Sequence, residues 1–124
     1  MIRVLDSPDG VLAVEVVGML EKNDYDTVIL PGLAALIDGG GEIRFVVLFG
    51  ETFEGLATSG TVADAHLYVD EIVHGDLSKW RRCAVVTDIH WLRHSVALFR
   101  WMMPGEVATF NAADVAAAIA WAAG

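Results

Sequence analysis

Two apolar runs constrain the fold of this 124-residue chain more than any other feature. Residues 43–49 read IRFVVLF and residues 79–87 read KWRRCAVVT, so both segments contain apolar side chains at consecutive positions. A strand with this pattern has both faces covered, as in a parallel sheet that carries helices on its faces. Helical periodicity recurs after each run, over residues 61–75 and 89–102. This alternation predicts an α/β fold.

The flanking segments complete the element order β-β-α-β-α-β-α-β-α. Residues 2–6 and 11–18 lie on either side of the turn sequence SPDG, a pattern that predicts an N-terminal hairpin. The last strand is EVATF, and the helix NAADVAAAIAWAAG follows it with Asn111 as the predicted N-cap. We therefore expect a single domain over residues 1–124, built on one mixed, mostly parallel sheet.

The segment between the hairpin and the first apolar run predicts a helix that contains a proline. Pro31 removes one helical hydrogen bond, so we expect either a kink or a helix that restarts with Pro31 in its first turn. Gly39, Gly40 and Gly41 end it. A phosphate-binding loop needs strand, glycines and helix in that order, so these glycines do not predict a nucleotide site. Residues 50–60, GETFEGLATSG, are expected to form a loop.

Composition and charge exclude several classes of function. The net charge of −9 repels phosphate backbones, so we predict no nucleic-acid partner. The longest uncharged apolar runs have about ten residues, whereas a membrane helix needs roughly 20, so we predict no membrane span. The N-terminal sequence lacks an apolar signal core and Cys83 is the one cysteine, which together favour a cytoplasmic protein. Cys83 is predicted to be a buried, inert thiol.

Four segments follow one another in an order typical of a known family. They are VLAVEVVG leading into GMLEKNDYDTVILPGLAALI, RFVVLF followed by Phe53-Glu54-Gly55, CAVVTDIHW, and PGEVATFNAADVAAAIAWA. In this order they resemble the SpoIIAA-like family, small bacterial proteins related to STAS domains. The resemblance covers nearly the whole chain and implies a fold close to STAS domains and to the lipid-carrying CRAL-TRIO fold. It also implies that an apolar ligand is held between helices.

The same resemblance points to one serine. True anti-anti-sigma factors carry a phosphorylatable serine at the start of the second helix, in a sequence like Asp-Ser-Ser-Gly. The nearest match here is Ala57-Thr58-Ser59-Gly60, in which the serine and the glycine fit and the acidic residue is missing. The resemblance makes Ser59 the candidate phosphorylation site. The alternative is that Ser59 or Thr61 simply caps the helix.

His90 and His94 are spaced as in zinc proteases, four residues apart on a predicted helix. A helix that starts at Ile89 places both imidazoles on its polar half. The glutamate that activates water in such proteases is replaced by Trp91, and Arg93 lies between the histidines, where its charge opposes a cation. We therefore predict solvated or hydrogen-bonded surface histidines, with no metal and no cofactor.

The predicted helices carry more large apolar side chains than one packing face needs. Our hypothesis is an apolar pocket between helices 61–75 and 89–102, with the 50–60 loop as its rim. Its lining residues would be Phe53, Tyr68, Trp91, Leu98 and Met102. The alternative is that these side chains complete an ordinary core or a homodimer interface.

No set of residues in the sequence forms a recognisable catalytic arrangement. Cys83 has no activating partner in the sequence, and the nucleophile elbow Gly-x-Ser-x-Gly is absent, so we expect a protein that is not an enzyme. Two functions remain open. The first is a binding or regulatory module for a small apolar or amphiphilic molecule, and the second is a STAS-type protein-interaction domain of a regulatory system. A homodimer is compatible with both.

Overall fold

The computed structural model describes residues 1–39, 41–56, 80–90, 93–94 and 105–124. These residues contain one five-stranded sheet, in which the strands lie in sequence order. The strands are β1 (Ile2–Val4), β2 (Leu12–Leu20), β3 (Ile43–Leu56), β4 (Trp80–Thr87) and β5 (Glu106–Phe110). β1 is antiparallel to β2, and every other neighbouring pair is parallel. The predicted α/β fold with a mixed, mostly parallel sheet is confirmed.

The described helical segments are short. They are α1 (Lys22–Asp24), a π-helical turn (Tyr25–Ile29), α2 (Leu30–Asp38), a 3-10 turn (Ala112–Asp114) and α3 (Val115–Ala123). Pro31 lies in the first turn of α2, so the helix does restart at the proline, and the π-helical turn joins its two parts. Within the described ranges, no helix is both long enough and apolar enough to cross a membrane.

The N-terminal hairpin forms as predicted. β1 pairs with β2 so that Val4 lies opposite Val14, and the Leu5 N–H donates to the Ala13 carbonyl at 2.8 Å. The turn that joins the strands includes Gly10, whose φ of +88° is a conformation that glycine adopts without strain.

β3 is longer than predicted, which corrects the loop expected over residues 50–60 as far as residue 56; residues 57–60 lie outside the described residues. The strand continues through residues 50–56 because β2 follows it past two irregularities in register, pairing Gly18 with Phe53 and Leu20 with Leu56. Between Phe49 and Gly55, β3 has more residues than the stretch of β2 from Val16 to Met19 that it pairs with, so the extra residues bulge out of β3. Gly18 lies opposite this bulge with a φ of +69°. Phe53 is therefore a strand residue rather than part of a loop.

Side chains of successive strand residues point to opposite faces of the sheet, and each face has its own apolar cluster. We call the two sides face A and face B. The buried members on face A are Val14, Val16, Ile29, Leu33, Ile43, Val47, Phe53 and Val85, with α2 packed over them. The buried members on face B are Val11, Ala13, Val46, Ala84, Val86, Ala118 and Ala122, with α3 packed over them. Coverage of both faces explains the continuous apolar runs in the sequence.

Two arginines of face B contact the C-terminal end of α3. Arg44 donates to the Ala122 carbonyl at 2.6 Å, and Arg82 donates to the Trp121 carbonyl. The last carbonyls of a helix lack partners within the helix and carry partial negative charge, so cations there are stabilising. The Arg82 guanidinium also lies 5.0 Å from the centre of the Trp121 ring and pairs with Glu106 at 3.1 Å. These contacts hold α3 on the sheet.

Gly105 positions the start of β5 beside β4. Its φ is +78°, and a Cβ atom added there would lie 2.6 Å from the Trp80 carbonyl oxygen, too close for any residue but glycine. The close approach fixes a register in which Val86 lies opposite Phe110. The C-terminal ends of β4 and β5 therefore lie side by side.

Candidate functional site

The carboxyl ends of the parallel strands β2–β5 meet at one edge of the sheet. In open parallel sheets, ligands bind outside this edge. We call it the carboxyl edge. Its described residues are 18–21 at the end of β2, 49–56 at the end of β3, 87–90 and 93–94 at and after the end of β4, and 110–112 at and after the end of β5.

A helical turn begins directly after β4, and Thr87 fixes its start. The Thr87 side chain is fully buried, and its Oγ1 accepts a hydrogen bond from the Ile89 N–H at 3.0 Å. The Arg93 N–H in turn donates to the Ile89 carbonyl at 3.2 Å, which closes the first turn. A short polar side chain at the end of a strand thus satisfies one of the free donors at a helix start.

Two side-chain hydrogen bonds join this turn to the segment after β5. Asp88 Oδ1 accepts from the Ala112 N–H at 3.1 Å, and an Arg93 guanidinium nitrogen donates to Asn111 Oδ1 at 2.8 Å. Asn111 does occupy the predicted N-cap position. Its side chain makes no cap hydrogen bond, however, because it accepts from Arg93, and Asp88 satisfies the neighbouring backbone donor. These hydrogen bonds therefore join the segment after β4 to the segment after β5.

The two histidines lie on the solvent side of the same turn. His90 Nε2 and His94 Nε2 are 3.0 Å apart, and the ring centres are 4.5 Å apart with an angle of 77° between the planes. One nitrogen carries a proton and donates it to the other. Both side chains are exposed and hydrogen-bonded, as the sequence predicted. Within the part of the chain that the structure describes, no group of three or more metal-ligating side chains forms.

An apolar cluster lies behind these polar groups on face A. Phe53 is 9% exposed and meets Phe49 edge to face, with ring centres 4.7 Å apart. Phe49 and Ile89 are half-buried and pack against the same cluster. The apolar interior of face A thus extends to the carboxyl edge and is partly open there.

Of the five predicted pocket residues, the structure describes Phe53 alone. It places Phe53 in the face A core at the carboxyl edge. The other predicted residues, Tyr68, Trp91, Leu98 and Met102, lie outside the described residues, as does Ser59. The pocket and the phosphorylation site therefore stay predictions.

Cys83 lies in β4 and is buried, as predicted. Burial without a charged partner disfavours the thiolate and raises the pKa of the thiol to about 12. A thiol in this state is protonated at neutral pH and is a poor nucleophile or metal ligand.

Sequence reasoning missed three contributors to the carboxyl edge, which are Thr87, Phe49 and the pair of Arg93 with Asn111. One signal was available, because Thr87 ends β4, Asp88 follows β4 directly and Asn111 follows β5 directly. Polar residues that follow neighbouring parallel strands are brought to the same edge of the sheet.

Comparison with known proteins agrees with this architecture. The profile of the SpoIIAA-like family matches residues 11–123. The chain belongs to the SpoIIAA-like family. The match includes β2 to β5 and all of the carboxyl edge. The resemblance predicted from the four sequence segments is confirmed.

Two solved structures share the fold of this SpoIIAA-like chain. One is an uncharacterised protein of the DUF3478 family with a SpoIIAA-like fold from Shewanella loihica PV-4, with a TM-score of 0.62, 23% identity, and coverage of 98% of this chain and 91% of that one. The other is the anti-sigma factor antagonist SpoIIAA in its unphosphorylated form, with a TM-score of 0.52, 13% identity, and coverage of 86% of each chain. A search of curated proteins finds no match.

Proposed function

We propose that this SpoIIAA-like chain is a non-enzymatic binding module that takes a small apolar or amphiphilic molecule at the carboxyl edge of face A. The observation that carries the proposal is the partly open apolar cluster there. Phe53 is buried, whereas Phe49 and Ile89 remain half-exposed beside it. A ligand that covers half-exposed apolar side chains gains the free energy of removing them from water, about 25 cal/mol per Å².

The sequence supplies the rest of the proposed site. Helical periodicity predicts that Trp91, Leu98 and Met102 share one apolar half of the segment that begins at Ile89. Tyr68 belongs to the other predicted helix, so the ligand would lie between helices 61–75 and 89–102 with Phe53 at its base. Mostly apolar walls with a few polar groups at one end are typical of small-molecule sites.

The polar groups of the carboxyl edge give the proposed site a fixed rim. Asp88 and Arg93 are held by hydrogen bonds to the segment after β5, so they are ordered before any ligand arrives. Pre-ordered groups cost little entropy on binding. An amphiphile with its chain on the apolar cluster would place its polar head near this rim.

The non-enzymatic part of the proposal is supported by the state of Cys83. Its thiol is buried in β4 with a pKa near 12, so it is not an activated nucleophile.

A second function is favoured by the likeness to SpoIIAA, which is an anti-sigma factor antagonist. By analogy of fold, the carboxyl edge would contact a protein partner. Ser59 follows Leu56, the last residue of β3, by three residues, so the candidate phosphorylation site is connected directly to this edge. Ala57 stands where the phosphorylated pattern has an acidic residue.

Native mass spectrometry of freshly purified full-length chain, followed by denaturing analysis of anything released, separates the two functions. The ligand-binding module predicts a bound mass in the range of lipids or other amphiphiles. A bare dimer, or phosphate on Ser59, would instead favour the protein-interaction domain.

A tryptophan pair provides the matched control for a bound ligand. Trp91→Ala removes a proposed lining residue, whereas Trp121→Ala removes a tryptophan of face B that contacts Arg82 and Phe110. We expect the bound mass to be lost in the first variant and kept in the second. Loss in both or in neither, with folding confirmed by circular dichroism, would contradict the proposed location.

A further inference from the structure

The histidine pair has a geometry that the ligand proposal does not use. His90 and His94 are one turn apart, and the bond from the Arg93 N–H to the Ile89 carbonyl shows that this turn is helical. The two Nε2 atoms converge to 3.0 Å on the exposed side of the helix. Two imidazole nitrogens that lie this close on one exposed face can both reach a single metal ion.

The separation of the two nitrogens matches one class of metal coordination. Imidazole nitrogens bind transition metals at about 2.0–2.1 Å, so two of them in neighbouring square-planar or octahedral positions lie about 2.8–3.0 Å apart, and two in tetrahedral positions about 3.3–3.4 Å apart. The observed 3.0 Å agrees with the first arrangement. Cu(II) and Ni(II) prefer that geometry, and Zn(II) prefers the tetrahedral one.

The structure also weakens the main argument against a cation here. Arg93 lies between the histidines in sequence, but its guanidinium donates to Asn111 Oδ1 at 2.8 Å and is therefore held at the segment after β5. The net charge of −9 raises the local concentration of cations around the chain as a whole.

We infer that His90 and His94 bind one divalent transition-metal ion of the Cu(II) or Ni(II) class through their Nε2 atoms, with water in the remaining positions. The metal takes the lone pairs of both Nε2 atoms. The proton that one Nε2 donates to the other in the metal-free pair moves to the Nδ1 of its own ring through solvent, so both rings stay neutral. This site lies on the polar half of the helix and is separate from the apolar cluster proposed to hold the ligand.

The test is a titration of Ni(II) into tag-free, full-length chain in a non-chelating buffer, followed by calorimetry. We expect one site per chain. In His90→Ala and in His94→Ala the affinity should fall about ten-fold or more, because a two-point chelate becomes a single ligand. Both side chains are exposed, so the variants should keep the circular dichroism spectrum and melting temperature of the metal-free parent.

The other two histidines of the chain provide the matched control. The double variant His66→Ala with His74→Ala removes two imidazoles, one more than either single variant, and should still keep the affinity of the parent. The electron paramagnetic resonance spectrum of bound Cu(II) should show two nitrogen ligands in the parent and in this control, and one in His90→Ala. Equal affinity in the parent and in His90→Ala, or loss of the site in the control, would overturn the inference.

Discussion

The two faces of the sheet differ in how they are closed. On face B, α3 packs through Ala118 and Ala122 against the small side chains of Ala13 and Ala84, so the helix lies close to the strands. On face A, α2 packs through Leu33 against valines and phenylalanines, and the apolar cluster extends to the carboxyl edge. Interiors are close-packed in both cases, so the difference lies at the border of the core, which reaches the carboxyl edge on face A.

The ends of the two faces differ as well. The C-terminal end of α3 on face B is bound by Arg44 and Arg82, which satisfy its last free carbonyls. At the carboxyl edge of face A, Phe49 and Ile89 remain half-exposed behind a polar rim. This difference is the reason that we propose ligand binding on face A and assign face B to stability.

The largest expected effect is on face A. Leu33 is 1% exposed in the middle of the face A cluster, so Leu33→Ala should lower the free energy of unfolding by about 2–5 kcal/mol through the cavity it leaves. Urea denaturation measures this. Leu36→Ala, on the same helix at a half-buried position, is the control and should cost clearly less. Equal costs would mean that α2 does not bury Leu33 as described.

On face B the corresponding test is to enlarge a side chain. Ala118 is fully buried against the sheet, so Ala118→Leu should cost about 1–3 kcal/mol of stability because the helix has to move outward. Ala117→Leu, one residue earlier on the exposed side of α3, should be nearly neutral. If urea denaturation finds that Ala118→Leu is tolerated as well as Ala117→Leu, face B is not tightly packed.

The contact of Arg82 with α3 should have a smaller effect. Arg82→Met keeps much of the side-chain length and removes the hydrogen bond to the Trp121 carbonyl and the ion pair with Glu106, so we expect a loss of about 1–2 kcal/mol. Arg81→Met is the matched control, because Arg81 is more exposed and pairs with Glu42 only at 3.7 Å. A loss of similar size in both variants would show that general charge, rather than the helix end, explains the effect.

The smallest expected effect appears only at alkaline pH. The Cys83 thiol has a pKa raised to about 12 by burial, against an ordinary value of 9.0, so the unfolded chain loses this proton first as pH rises. The resulting contribution to stability is fully present below pH 9 and should fall by about 1.4 kcal/mol between pH 8 and pH 10. Cys83→Ala should lack this component. An identical pH dependence in parent and variant would contradict the burial of the thiol.

Much of the fold could be predicted from the sequence because the determining signals are local. The runs at 43–49 and 79–87 carry apolar residues on both faces, and the segment SPDG joins a hairpin, so the strand order follows from short-range patterns. The restart of the helix at Pro31 was predictable for the same reason.

The missed features depend on contacts between distant segments. Gly50 and Glu54 are typical of a loop, yet residues 50–56 form a strand because bulges in β3 opposite Gly18 keep it paired with β2. No pattern within 50–60 contains that information. Such overrides of local preference by tertiary pairing are expected for strands.

The carboxyl edge was predicted only in part for a related reason. The proximity of His90 and His94 could be predicted because residues four apart on a helix are neighbours. The bonds from Ala112 to Asp88 and from Arg93 to Asn111 depend instead on the register of β4 against β5, which Gly105 fixes from the other end of the strand. Sequence spacing alone does not determine that register.

The central claim is that face A, and not face B, binds a small apolar molecule at the carboxyl edge. Two isoleucines test it most directly, because Ile89 is half-buried at the carboxyl edge of face A and Ile119 is a half-buried residue of α3 on face B. In a chain labelled with ¹³C at isoleucine δ1-methyl groups, we expect oleate, added below its aggregation concentration, to shift the Ile89 signal and leave the Ile119 signal in place. Equal shifts at both methyls, or none at saturating oleate, would contradict the claim.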